Sequence, residues 1–373
     1  MKVKNFFIIE KNIATLIPMY WILYLIAIYY SPGNANLHLP ATIVGTFIFV
    51  YLACTRRGLS RTFLKPVLIF IVFSIVSLLN VGNVAWYYIF FVIGHIGVSL
   101  ELAISTDRLK HLYRNIYFLH ILIYIIYFAV YQTFNHMYNL ASENMVSVYL
   151  LLFLYLYYRE CKYTGKQISV VMVGLSLILC YCGGSRTGVA IMLIAFCGIC
   201  FIKLMNTKGG FIITFFLGII AMVGVAIVGL FAYSFWIEVI QDAPRMYIWN
   251  QYLSNIDSMW NFIWGVPFYL SSAFEAYAYN LHNTFMNIHA RFGLIPLIVI
   301  LIIILYAISD CIKKKNWWRF LFIICYVFRS MTDNTSFSGP LDIMLFSIYF
   351  DIVSENKVFI VDSNVKSAYY RES

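Results

Sequence analysis

Apolar runs recur from one end of the chain to the other, most of them close to the length needed to cross about 30 Å of hydrocarbon. They lie at 13–30, 38–54, 66–79, 84–105, 113–133, 145–158, 168–182, 187–203, 211–233, 282–306, 318–329 and 340–353. A backbone in lipid has to satisfy its own hydrogen bonds, so runs of this kind fold as helices packed on one another. Composition agrees. Only 11% of the 373 residues are charged, against roughly 25% in a water-soluble domain. The expectation is an all-α polytopic bundle of about twelve transmembrane helices, forming one integral membrane domain over 1–373. Lys2, Lys4 and Lys11 precede the first run without a small-residue cleavage site, so it reads as a retained helix.

A net charge of +10 would point to nucleic acid in a soluble protein, but here its distribution explains it. All but four of the 26 lysines and arginines fall in alternate loops, at 1–12, 55–65, 106–114, 159–167, 203–210, 313–319 and 354–373. The positive-inside rule therefore puts both termini in the cytoplasm. The four cations left for the outer face are Arg186, Arg245, Arg291 and Arg329. All are arginine, although topology is indifferent to Arg versus Lys. The planar guanidinium grips phosphate or carboxylate at two points, so this bias points to anion recognition.

Local context sharpens the reading for two of them. In "YCGGSRTGVAIML" (181–193) a helix ends at Gly183–Gly184 and the next begins near Ser185–Arg186–Thr187. An arginine at a helix N-terminus is mildly unfavourable alone and becomes favourable when an anion lies between it and the exposed N–H groups. "QDAPRMYIWNQYL" (241–253) repeats the arrangement, with Asp242 as cap, Pro244 in the first turn and Arg245 following. Arg329 closes the run 318–329, an ordinary place for a cation, and is set aside.

The longest outer segment, 234–281, lies between the ninth and tenth runs and is long enough to form a cap over the site. It holds Trp236, Trp249, Trp260 and Trp264, and Met246, Trp249, Tyr252, Leu253 and Ile256 fall near one helical face. Its end, "YNLHNTFMNIHARFGLIPLIV" (279–299), gathers His282, His289 and Arg291 at the mouth of the tenth run. Ionisable groups at such positions face polar cavities more often than lipid. At 100° per residue His289 and Gly293 return beneath His282, whereas Arg291 falls opposite unless the helix starts later.

Other chemistries find little support. The eight cysteines lie in apolar runs or on the cytoplasmic side, so no outer disulfide framework is implied. Cys197 and Cys200 have metal-like spacing but sit inside a membrane run without a second ligand pair. Glu143 is placed to cap the sixth helix, and Asp333 stands alone in the last outer loop. There is no Walker-type glycine loop and no close pair of outer carboxylates to hold Mg²⁺ on a diphosphate. No metal and no cofactor are expected.

The SRTG turn at 185–188, the Arg–x3–Trp segment "RMYIW" (245–249) and HN–x9–G, from His282–Asn283 to Gly293, together resemble the O-antigen polymerase and ligase superfamily. Arg291 departs from it, since relatives more often carry an acidic or neutral residue there. Leu294 departs too and leans toward the polymerases. The resemblance implies a GT-C-like fold in the bacterial inner membrane and a metal-independent glycosyltransferase serving O-antigen, lipopolysaccharide or capsule biosynthesis. A growing glycan on undecaprenyl diphosphate would pass to a sugar hydroxyl of a new lipid-linked repeat unit at the outer leaflet, with a chain-length regulator protein as a further partner. On that reading His282 is the general base, Arg186 and Arg245 neutralise the leaving diphosphate, and Arg291, Asn283, Ser185 and Trp249 help bind substrate. Two alternatives stay open: a ligase attaching the glycan to lipid A-core, and a flippase or transporter of lipid-linked oligosaccharide.

Overall fold

In the computed structural model, residues 3–30, 35–55, 65, 67–77, 87–104, 111–134, 137, 144–205, 243–267, 272–276, 280–335 and 339–369 are described. Every element among them is a helix: α1 Val3–Tyr30, α2 Ala35–Thr55, α3 Val67–Ser77, α4 Tyr87–Ile104, α5 Leu112–Tyr131, α6 Met145–Thr164, α7 Val170–Cys182 and α8 Arg186–Met205. After the run 211–233, which lies outside the described residues, come α9 Ala243–Ser254, α10 Met259–Trp264, α11 Ser272–Ala276, α12 Thr284–Phe292, α13 Leu294–Lys313, α14 Trp317–Thr332 and α15 Leu341–Tyr369. Among the described residues, four stretches are long and apolar enough to cross a membrane: Asn36–Cys54, Leu112–Tyr131, Arg186–Met205 and Leu294–Lys313. Shorter apolar helices are Leu16–Tyr30, Val67–Ser77, Tyr88–Ala103 and Val170–Cys182.

Two helices form the centre. α6 is buried on every side from Val146 to Cys161, and α15 is buried from Leu341 to Val353. A helix that is apolar all round has no solvated face, so it is found inside the bundle. Tyr155 and Ser347 join the two by a 2.8 Å hydrogen bond. The surrounding helices show the opposite pattern. Ile22 and Ile26 of α1, Ile43 and Phe47 of α2, Leu122 and Ile126 of α5, and Ile302 and Leu305 of α13 are all exposed. A belt of large aliphatic side chains facing outward is stable in a hydrocarbon surround and a liability in water.

Close packing without a hydrophobic driving force needs small residues. A Cβ on Gly97 would lie 2.1 Å from the Gly45 carbonyl oxygen, and one on Gly45 would lie 2.6 Å from that of Gly94. α2 and α4 therefore meet backbone to backbone.

The tenth apolar run, read from sequence as one helix over 282–306, is two. α12 ends at Phe292 and α13 begins at Leu294, with Gly293 between them at φ 85°. A Cβ there would meet the Ile263 carbonyl oxygen at 2.7 Å. Gly265, at φ 106°, packs the reverse way against the carbonyls of His289 and Ala290. Left-handed backbone at both positions lets the end of α10 seat in the break between α12 and α13. Hydropathy cannot show such a break, because the apolar character continues across it.

Of 234–281, residues 234–242, 268–271 and 277–279 lie outside the described set, and with them Trp236 and Asp242. In the described remainder Ile248, Tyr252, Val266, Phe274 and Leu281 pack with Ala290 of α12 into a small second core. The expected stripe on α9 is turned. Ile248 and Tyr252 are buried with Trp249 and Arg245 half-buried, whereas Met246 and Leu253 face out. This is an i, i+3, i+4, i+7 face, and it carries Arg245 inward.

Candidate functional site

The turn before α8 is made as its residues predict. Gly183 N–H returns to the Leu179 carbonyl, Gly184 adopts φ 66°, and the Ser185 hydroxyl accepts from Gly188 N–H at 3.1 Å. Ser185 is buried in this capping role, while the Arg186 side chain is exposed at the first position of the helix. The proposed cap of α6, Glu143, lies outside the described residues.

Arg329, set aside on sequence, sits at the centre. It is fully buried in the last turn of α14. Nη1 donates to the Thr187 hydroxyl at 3.1 Å, and Nη2 donates to the Asn144 carbonyl and to Asp333 Oδ2, each at 3.2 Å. It thus ties the starts of α6 and α8 to the end of α14. Its Nε has no hydrogen-bond partner among the described residues. Arg245 lies close enough for its charge to oppose that of Arg329. Like charges held together in a poorly solvated place are costly unless an anion joins them.

Asp333 is not isolated either. Its Oδ1 lies 3.6 Å from His282 Nδ1, its Oδ2 meets Arg329, and its backbone carbonyl accepts from the Thr284 hydroxyl at 2.8 Å. Burial alone would raise this carboxyl, but its contact with His282 and the charge of Arg329 outweigh burial and hold it at about 2. The group is therefore ionised throughout the ordinary pH range.

His282 precedes its helix. The Asn283 side chain caps α12 by accepting from Phe285 and Met286 N–H, and its Nδ2 donates to the Met331 carbonyl at 3.2 Å. His282 is left half-buried at φ 50°, its N–H held by Asn280 Oδ1 at 2.8 Å. Left-handed backbone at a residue other than glycine is strained unless its surroundings impose it. Here Asn280 and Asn283 fix the backbone on both sides and aim the imidazole at Asp333.

The other residues singled out from sequence have different surroundings. Trp249 donates its Nε1 hydrogen to the Leu281 carbonyl at 2.7 Å, fastening α9 beside His282. Arg291 is buried with its guanidinium 4.6 Å above the Tyr88 ring. His289 lies between the Tyr252 hydroxyl and the Phe262 carbonyl, each at 2.7 Å. The geometry thus joins His282, Asp333, Arg329 and Thr187, with Arg245 within electrostatic reach and Arg186 next to Thr187. Arg291 and His289 belong to the packing of α12 against α4, α9 and α10. Sequence reasoning missed Arg329 and Asp333. The one available signal was their i, i+4 spacing, which pairs opposite charges on a helix face.

No family model matches this chain, and no curated protein matches it.

Proposed function

We propose that the chain is a polysaccharide polymerase of the O-antigen polymerase type. It would be a GT-C-like membrane protein of about twelve helices, with both termini cytoplasmic and the His282 end of the bundle at the outer leaflet of the inner membrane. The observation that carries the reading is the His282–Asp333–Arg329 chain of contacts, set beside Arg245 and the N-terminus of α8. An ionised carboxylate beside Nδ1 favours the tautomer with hydrogen on that nitrogen, leaving Nε2 to accept a proton. The acceptor sugar hydroxyl gives its proton to Nε2 as its oxygen attacks the anomeric carbon of the donor. The bond to the diphosphate breaks, and undecaprenyl diphosphate departs with the electron pair. Arg245 and Arg186 would meet that growing charge, which is electrostatic stabilisation of the transition state. Arg329 would act as a positioning residue, holding Asp333 and the α8 turn together.

Gel analysis of surface polysaccharide from a strain lacking the chain tests this reading. A single repeat unit on lipid A-core is expected. Polymer stranded on the carrier lipid would point to a ligase instead, and the absence of any periplasmic repeat would point to a flippase.

A further inference from the structure

The opposite end of the bundle contains a cavity of about 450 Å³ between the end of α6, the 165–168 turn, the end of α8 and the start of α14. That is within the size range of small-ligand pockets, roughly 300–1,000 Å³. Its wall includes Lys162, Lys166 and Lys203, Gln167, and Tyr158 and Trp318; none of the described lining residues is acidic. The two rings are stacked, with centroids 5.6 Å apart and planes 19° from parallel. Lys162 lies 3.2 Å from Glu355 beyond the cavity, and the Lys203 ammonium donates to the Ile168 carbonyl, so both are held in place. Lys166 stands exposed on the turn. Asn316, also in the lining, caps α14 by accepting from Arg319 N–H at 3.2 Å. The positive end of that helix dipole therefore opens on the same space.

Loop lysines alone would reflect only membrane topology. Three lysines in the wall of one cavity, beside a helix N-terminus and a stacked aromatic pair, describe a receptor for an amphiphilic anion. We propose that this cavity binds a phosphate-bearing ligand, the lysines meeting the phosphate and the Tyr158–Trp318 pair its less polar part. Basic pockets between membrane helices hold anionic headgroups in this way. The phosphate can come from an anionic phospholipid or from a free phosphate in the cytoplasm. The inference concerns a site remote from His282 and does not depend on the proposed polymerase activity.

The test uses the whole protein in phosphatidylcholine nanodiscs. Phosphatidylglycerol or inorganic phosphate is added separately, and the melting temperature and retained ligand are measured, the latter by native mass spectrometry. Saturable stabilisation with one ligand retained per chain is expected. Lys162→Gln and Lys166→Gln should each weaken it about fivefold. Phosphatidylglycerol acting without inorganic phosphate identifies the lipid source, and the reverse identifies the soluble one. Failure of both, or equal binding by wild type and the exposed-site variant Lys166→Gln, overturns the proposal.

Discussion

At one end of the bundle, Arg319 gives its two amino nitrogens to Glu355 at 2.7 and 3.0 Å, while Arg159 donates to Asp351 at 2.9 Å and to the Leu102 carbonyl at 2.7 Å. At the other end, Arg329 shares Asp333 with a half-buried imidazole and lies within electrostatic reach of a second guanidinium, Arg245. Both ends bury arginine. The first pairs each arginine with carboxylates that have no titratable imidazole between them and a substrate. The second spends its carboxylate on orienting a histidine and brings like charges together. A carboxylate-paired network of the first kind locks helices, whereas the second holds a half-buried imidazole beside an ionised carboxylate, the kind of arrangement found at functional sites.

The largest expected effect separates chemistry from structure at the second end. His282→Ala should lower the rate of polymer formation about 10²–10⁴-fold, the range typical of a general base, with protein yield and melting temperature unchanged. His289→Ala should instead loosen the packing of α12 on α9 and α10, because its ring joins Tyr252 to the Phe262 carbonyl. If His289→Ala cost as much rate as His282→Ala at equal stability, the base would be misassigned.

At the first end the effect should fall on stability. Arg319→Ala leaves Glu355 without the guanidinium that grips both its oxygens and removes the more distant of the two arginines beside Asp351, and losing such a half-exposed charged pair costs roughly 1–3 kcal/mol. Purified Arg319→Ala should melt earlier and express poorly, while its folded fraction turns over normally. A well-folded but inactive variant would erase the distinction between the two ends.

A smaller effect probes the guanidinium itself. Arg245→Ala should lose most activity and Arg245→Lys should recover only part of it, since an ammonium cannot grip two oxygens of a diphosphate. Full recovery by lysine would reduce Arg245 to a point charge.

The smallest effect concerns pH. Asp333 is held down from 3.8 to about 2, so its pairing stabilises the fold fully above 3.8 and is lost as pH falls through about 2. The stability difference between wild type and Asp333→Asn should shrink over that window.

Legibility from sequence differs between the two kinds of feature. The apolar helices and the Ser185 cap follow local rules of hydropathy and helix capping, and the described structure has them. The break at Gly293 depends on a tertiary contact with Ile263 that hydropathy does not encode. Arg329 looks ordinary within its own turn, and Asp333 looks isolated in its loop. Their meaning comes from Thr187 and His282, at sequence separations that no local pattern spans. Asn283, read as a substrate contact, has in addition a capping duty that orients its neighbour.

The central claim is that His282 activates a sugar hydroxyl for transfer from a lipid diphosphate without metal or nucleotide. Purified protein in liposomes, supplied only with lipid-linked repeat units and EDTA, tests it most directly. Wild type should build polymer and release undecaprenyl diphosphate, and His282→Ala should do neither at a comparable rate. Polymer formed equally well by both, or by neither until a divalent metal or a nucleotide is added, would contradict the account.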